Sequence, residues 1–358
     1  MRLNLSTYIN DRSYGLVGLN LLKSLDKLGH DVSLFGLPSN QQIQAIESDH
    51  KVIRGAILRS QYFDYTAPSI CLHHQFDLQK HVGGGKRFGA TIFELDRLKP
   101  NEVHQLKSQD VVIVPSKWAA KVVKDSCGPI DVKVVPLGYD PEVFYPRPTK
   151  KHNNTIIQSW GKIEIRKGHD VLVDIFNKAF TKKDNVELQL GWSNPFLSAN
   201  QVEEWERLYK NSPLGEKISF IPWQPTQQDV ANRMAEADCG IFPSRAEGWG
   251  LECLEMMAMG KEVIVTNVSA HTEYCFSHNS YLIECPDKEP ANDAFWFHSE
   301  KLSDGAWAKI GDLEIDQAVE FMRTLHKDKQ EGRLRDSDRD VSHLTWDNAA
   351  VKLVESIQ

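Results

Sequence analysis

The sequence predicts an α/β protein made of two β/α units in tandem. Three observations carry that expectation. The chain opens β-loop-α-β: the strand "RLNLSTYI", the loop "NDRSYG", a helical run in which Val17, Leu21, Leu25 and Leu28 share one face, a stop at Gly29, and a new strand, "DVSLFGL". Such a crossover joins parallel strands. Residues 139–154, "YDPEVFYPRPTKKHNN", then bring three prolines and no apolar period, which sets a boundary near 148. Beyond it the same alternation restarts.

In the first unit the short apolar segments "SICLHH", "GATIFEL" and "DVVIVPS" read as further strands. A basic helix, "KWAAKVVKDS", follows with Ser116 as its cap, and "VKVVPLG" closes the set. In the second unit "TIIQSW", "VELQLGW", "KISFIPW", "CGIFPS" and "KEVIVTN" read as strands. Helices stand between them, such as "HDVLVDIFNKAF", with Leu172, Ile175, Phe176 and Ala179 on one side, and "TQQDVANRMAEA". The end differs: "HLTWDNAAVKLVESI" is an amphipathic helix with no strand after it. The expected domains are 1–148, 149–335 and a helical segment at 336–358.

Composition narrows the function. Of 358 residues 42 are Lys or Arg and 49 Asp or Glu; the net charge of −7 weighs against a general nucleic-acid or anionic-membrane binder. No apolar run approaches the ~20 residues of a membrane span. The first residues, "MRLNLSTYIN", hold no apolar stretch of the ~7–15 residues a secretory leader needs. The six cysteines form no C-x-x-C pair and sit mostly in apolar segments, so they read as buried thiols and the protein as cytoplasmic. Histidines at H-x-x-x-H or H-E-x-x-H spacing are absent, and no metal or other cofactor is expected.

The chemistry concentrates in "SRAEGWGLECLEMMAMG", residues 244–260. At 100° per residue Leu251, Leu254, Glu255, Ala258 and Met259 share one helical face, so Glu255 is a carboxylate among apolar neighbours. Its burial costs several kcal/mol unless something pairs with it. A vicinal diol would, because an ionised carboxylate accepts two strong hydrogen bonds. Glu247 stands just past a strand, on the side where β/α sheets meet their ligands. Between them "GWGL" (Gly248, Trp249, Gly250, Leu251) offers amides at a helix N-terminus, a phosphate site. "SWGKIEIRKGHDVL" adds Lys162 and Lys167 beside a second helix start, which suits a diphosphate. Met256–Met259 reads as core filler.

The segments "GKIEIRKGHDVLVDIF", "ADCGIFPSRAEGWGLECLEMMAMGKEVIVTN" and "VKVVPLGYDPEVFYP" resemble the retaining glycosyltransferases of GT-B architecture, family-4 type, whose hallmark is E-x₇-E, here Glu247 to Glu255. The resemblance implies two Rossmann-like domains facing across a cleft. A C-terminal donor domain would bind a UDP- or GDP-sugar. An N-terminal domain would take a glycan, glycolipid or other hydroxyl acceptor, with the last helix crossing back to it. It implies that Glu247 contacts hydroxyls of the transferred sugar, that Glu255 accepts from the nucleotide ribose, and that the backbone of Gly248–Leu251 lines sugar and phosphate. Lys162 and Lys167 match the family's basic pair at the diphosphate. The first is more often Arg, and Lys keeps the charge without the bidentate fork. The N-terminal Gly-rich loop is represented by Gly15.

"ICLHHQFD" places His73 and His74 where such enzymes often carry a histidine near the attacked carbon. Side-chain alternation aims only one of them at the site, with His74 preferred for the reacting centre and His73 as a donor contact. "TIFELDRLK" resembles a segment of a subset of these enzymes, which would put Glu94, Asp96 and Arg97 on the acceptor side. Other readings are a sugar-nucleotide epimerase or phosphorylase on the same fold, a non-catalytic donor-binding subunit, and a transferase acting on modified DNA bases. The complete motif set opposes the second, and the acidic balance opposes the third.

Overall fold

The computed structural model describes residues 1–10, 13–36, 50–147, 153–293, 295–334 and 339–358. They form two units: Met1–Asp140 together with His343–Gln358, and Pro141–Ser342. The chain therefore passes between units at 140 and 342 rather than at 148 and 336. Residue 148 opens the stretch 148–152, and 336 lies in 335–338, both outside the described residues.

In the first unit β1 (Arg2–Thr7), α1 (Ser13–Lys27) and β2 (Asp31–Phe35) form the expected opening. Then come α2 (His50–Ser60), β3 (Ser69–Leu72), β4 (Arg87–Ala90), α3 (Pro100–Lys107), β5 (Val111–Val114), α4 (Lys117–Cys127) and β6 (Val132–Val134). The strands pair in parallel in the order β2-β1-β3-β4-β5-β6. Val17, Leu21 and Leu25 bury the inner face of α1, whereas Leu28 is exposed. The helix ends at Lys27, and Gly29, at φ +78°, turns the chain before Leu28 can rejoin that face. The strand expected through Leu95 stops at Ala90. Both backbone groups of Ile92 bond the Tyr14 phenol instead of a neighbouring strand, at 2.8 and 2.6 Å. Ser116 does cap α4, accepting from the Ala119 amide at 3.0 Å.

The second unit runs β7 (Thr155–Gly161), a 3₁₀ turn (Ile165–Lys167), α5 (His169–Ala179), β8 (Val186–Trp192), α6 (Ala199–Lys210), β9 (Ile218–Phe220), α7 (Gln227–Met234), β10 (Cys239–Phe242), α8 (Leu251–Ala258), β11 (Glu262–Thr266) and β12 (Tyr281–Ile283). A two-stranded hairpin, β13 (Lys288–Pro290) and β14 (Ala306–Ala308), and the long helix α9 (Asp312–Gln330) complete it. The main sheet is parallel in the order β12-β11-β10-β7-β8-β9. Leu172, Ile175 and Phe176 of α5 pack with Leu188, Ile241, Ile264 and Met322 into one core, all essentially without exposure.

The last helix, α10 (Trp346–Ile357), belongs to the first unit and packs on α1. Asp347 in its first turn accepts from Ser24 and Lys27, at 2.8 and 2.6 Å. The segment before it runs beside Gly138: a Cβ there would lie 2.2 Å from the Thr345 carbonyl carbon, so a glycine is what lets the two strands of chain touch. Among the described residues no helix is long and apolar enough to cross a membrane.

Candidate active site

In a doubly wound parallel sheet the strand order reverses at one point, and a crevice opens there at the carboxyl ends. In the second unit that point lies between β7 and β10. Two loops leave from it. The loop after β10, residues 243–250, is buried throughout. Within it the Glu247 carboxylate accepts from the Ser244 hydroxyl (2.9 Å) and pairs with Lys167 Nζ (3.0 Å) and Arg166 Nη1 (3.1 Å). Its amide donates to Ser269 Oγ at 2.7 Å, which fixes the backbone. Burial by itself pushes this carboxyl up, but Arg166 and Lys167 outweigh it and hold Glu247 well below the usual carboxylate range.

The loop after β7 supplies the cations. Arg166 is buried, bonded to the Ala246 carbonyl (2.6 Å) and to Glu164 as well as to Glu247. Lys167 is buried between Glu247 and Glu252 Oε2 (3.2 Å). Burial lowers its ammonium's pKa, and these two carboxylates raise it further than burial lowers it, so it stays charged. Gly168 joins the two loops. It sits at φ +75°, and a Cβ there would meet the Pro243 carbonyl oxygen at 2.0 Å. The contact is extended by the Arg245 amide, which donates to the Arg166 carbonyl at 2.7 Å. Arg245 itself grips Asp170 through two bonds of 2.8 Å, and Glu289 of the hairpin at 2.9 Å.

Helix α8 begins where the loop after β10 ends. Gly250 caps it at φ +85°; a Cβ there would lie 2.8 Å from His271 Nε2 and from the Tyr274 hydroxyl oxygen. That hydroxyl bonds the Trp249 and Gly250 carbonyls at 2.8 Å. The first amide bonded inside the helix is that of Leu254, to the Gly250 carbonyl (3.2 Å), so those of Leu251, Glu252 and Cys253 face out of its positive end. Glu255 lies one turn further on, 6% exposed, and its carboxylate has no hydrogen bond or ion pair among the described residues. Burial and the nearby Glu252 push its pKa well above the ordinary value, against a smaller pull from Lys167.

Lys162 follows directly on β7. Its Nζ lies 3.4 Å from Glu164 and 5.9 Å from the centre of the Trp296 ring, and the side chain is 39% exposed. Both lysines act on the buried Glu164, Lys162 from the half-exposed side and Lys167 from its buried place beside Glu247. Trp249 faces Tyr274 with a ring separation of 5.3 Å, and its buried indole N–H has no partner among the described residues. Gly248 and Leu251 flank this stretch of loop and helix start.

The remaining candidates belong to the first unit. Gly15 lies within the first turn of α1, not in a loop; a Cβ there would meet Asn10 Oδ1 at 2.2 Å. Asp11 and Arg12 of the expected Gly-rich loop lie outside the described residues. His73 ends β3, buried, with Nε2 3.4 Å from Ser6 Oγ and Nδ1 without a partner among the described residues. Burial, with Lys80 nearby, lowers its pKa to about 4, so the ring is neutral. His74 is exposed and stacks on Phe76 with centroids 5.2 Å apart. Glu94 and Asp96 are half-buried and Arg97 exposed, in the segment between β4 and α3.

Sequence reasoning does not single out Arg166, Glu164, Ser244 or Ser269. Arginine and glutamate are mostly exposed residues, and nothing local marks these two as buried. The one available signal is the alternation Lys162, Glu164, Arg166 within a loop that already holds a candidate lysine.

Residues 143–297 match the family model for glycosyl transferases group 1. Mannosylfructose-phosphate synthase of Agrobacterium fabrum is 24% identical over 195 residues, 49% of this chain and 43% of that protein. The GDP-mannose-dependent α-(1-6)-phosphatidylinositol dimannoside mannosyltransferase of Mycobacterium tuberculosis is 22% identical over 69% of this chain and 57% of its own length. The chain thus spans less than two thirds of both relatives. Among solved structures, Anabaena HepE in complex with UDP and glucose superposes with a TM-score of 0.69 at 15% identity, covering 99% of this chain and 98% of that one.

Proposed function

We propose that this chain, a group 1 glycosyltransferase of GT-B fold, is a retaining enzyme that moves a sugar from a UDP- or GDP-sugar to a hydroxyl of a glycan or glycolipid without a metal. The observation that carries the reading is Glu255: a buried carboxylate with no partner among the described residues, beside a charged lysine and the open end of α8. A ribose diol satisfies the carboxylate, and a diphosphate satisfies the lysine and the helix amides. A nucleoside diphosphate carries both groups in one molecule. The names of the relatives support the choice of base, one GDP-dependent and one solved with UDP. A cytoplasmic site of action fits such a donor.

The reaction follows from the charges. The bond from the anomeric carbon to the diphosphate oxygen breaks as the acceptor oxygen approaches on the same face. Negative charge grows on the departing oxygen, where Lys167 and the α8 amides meet it; preorganised donors of this kind usually supply more of the rate enhancement than any other single effect. The departing phosphate takes the acceptor's proton, so no separate base is required. Glu247, held anionic and immobile, is placed to accept from the sugar's hydroxyls. The test is direct. The purified protein is incubated with UDP- and GDP-sugars and a panel of hydroxyl acceptors, and nucleoside diphosphate release is followed together with the anomeric configuration of the product. Release of UDP or GDP with retention supports the reading; an inverted product, or consumption of none of these donors, refutes it.

A further inference from the structure

We propose that Arg166 is a positioning residue: it is the permanent counter-ion of Glu247, which keeps that carboxylate anionic and in place when Lys167 turns from it to the donor's diphosphate. The assignment rests on the functional reading above. In the unliganded site Lys167 is divided between Glu247 Oε1 (3.0 Å) and Glu252 Oε2 (3.2 Å). Any diphosphate that engages Lys167 competes with both. If Lys167 were the only cation on Glu247, donor binding would strip a buried carboxylate of its partner and favour its protonation. Arg166 removes that conflict. Its guanidinium reaches the other oxygen, Oε2, at 3.1 Å, from a buried position.

The guanidinium is itself fixed. It donates to the Ala246 carbonyl at 2.6 Å and pairs with Glu164, whose far side faces Lys162. Glu164 is held below the usual carboxylate range; burial opposes this, and Arg166 and then Lys162 overcome it. The result is an alternating chain, Lys162, Glu164, Arg166, Glu247, Lys167, Glu252, in which the charges balance before any ligand arrives. The groups acting on Glu247 are Arg166, Lys167 and Glu164 after β7, Ser244 in its own loop, Ser269 at its amide, Cys253 of α8, and His271 and Tyr274 after β11. His271 is neutral, its pKa lowered to about 4 by burial. Arg166 is therefore the cation that stays on Glu247 when Lys167 leaves.

The experiment compares wild type with R166M and R166K, by ¹³C-carboxyl titration of Glu247 in selectively labelled protein and by the pH profile of kcat. With R166M the titration midpoint of Glu247 should rise by at least about one pH unit, and the acid limb of kcat should move up with it. Turnover should fall ~10²-fold, the scale of one lost charge-stabilising group, while the Kd for the nucleoside diphosphate changes less than about threefold. R166K should restore the acid limb and most of the turnover. An unmoved Glu247 midpoint in R166M, or a loss carried wholly by Kd, overturns the assignment. If R166M does not fold, the double variant E164Q/R166M removes the stranded partner charge and is read in the same way. A wild type that consumes no sugar nucleotide sinks the functional reading alone, since the carboxyl titration still decides the role of Arg166.

Discussion

Glu255→Gln should make the unliganded protein more stable and the nucleotide complex weaker. In the native state burial raises the Glu255 carboxyl well above 4.5. The native protein therefore binds this proton more tightly than the unfolded chain does. The associated stability is full below the unfolded value and is lost as pH rises through the native one. Glutamine has no such loss, so the Tm of E255Q minus that of wild type should widen between about pH 5 and about pH 8. Ligand reverses the order. At 100 times the wild-type Kd a nucleotide stabilises wild type by about 2.7 kcal/mol. Exchanging charge-assisted ribose bonds for neutral ones forfeits about 1.5–3 kcal/mol, which raises Kd about 10- to 150-fold and leaves about 0.3–1.3 kcal/mol of that stabilisation. At about 2–4 °C per kcal/mol, the shift in Tm falls from about 5–11 °C to about 5 °C or less. Scanning calorimetry of both proteins with UDP and GDP across this pH range measures each quantity. An E255Q protein that is no more stable at about pH 8, or that keeps the full nucleotide shift, refutes the argument.

On the proposed reaction, Lys167→Met and Glu247→Ala should each lower turnover by at least ~10²-fold in a folded protein, measured as donor-dependent nucleoside diphosphate release, because each would remove a group that meets charge or hydroxyls at the reacting centre. Gly168→Ala should destabilise by about 2–5 kcal/mol, from a left-handed alanine and from overpacking against the Pro243 carbonyl, read as a fall in denaturation midpoint at unchanged m-value. Acid should unfold the second unit early: Glu247 and Glu164 titrate below the ordinary range in the native state, so their contribution is present above the unfolded carboxyl value and is lost as pH falls through the native ones.

Much of this is readable in the sequence because the deciding signals are local. Glu247, Gly250 and Glu255 lie within one strand–loop–helix passage, and the helical period alone turns Glu255 toward apolar neighbours. The strands around them run with few breaks of polarity, as parallel strands covered on both sides do. What escapes is either weak or distant. Strands β12, β13 and β14 have three residues each, too few for a period of two to register. Helix α9 has a legible stripe, Ala318, Val319, Met322 and Leu325, but it sits in a charged tract that reads as surface. The contacts of Lys162 with Trp296 and the buried Glu164 are brought about only by the fold. The placement of Arg166 depends on a backbone pairing between two loops far apart in the chain.

The balance of charges in the second unit explains why one carboxylate in this site behaves unlike the rest. Glu164, Glu247 and Glu252 are matched in number by Lys162, Arg166 and Lys167, and Glu164 and Glu247 are held below the usual carboxylate range. Glu255 is the surplus member, and burial raises its pKa well above the ordinary value. On the proposed function a ribose diol would supply the hydrogen bonds that let it ionise, while the diphosphate would draw on Lys167, which lowers that same pKa. Ribose and diphosphate therefore pull the Glu255 proton in opposite directions. A free nucleoside should release it, a free diphosphate should keep it in place, and the sign of the proton uptake on binding reports which end of the donor the site grips harder.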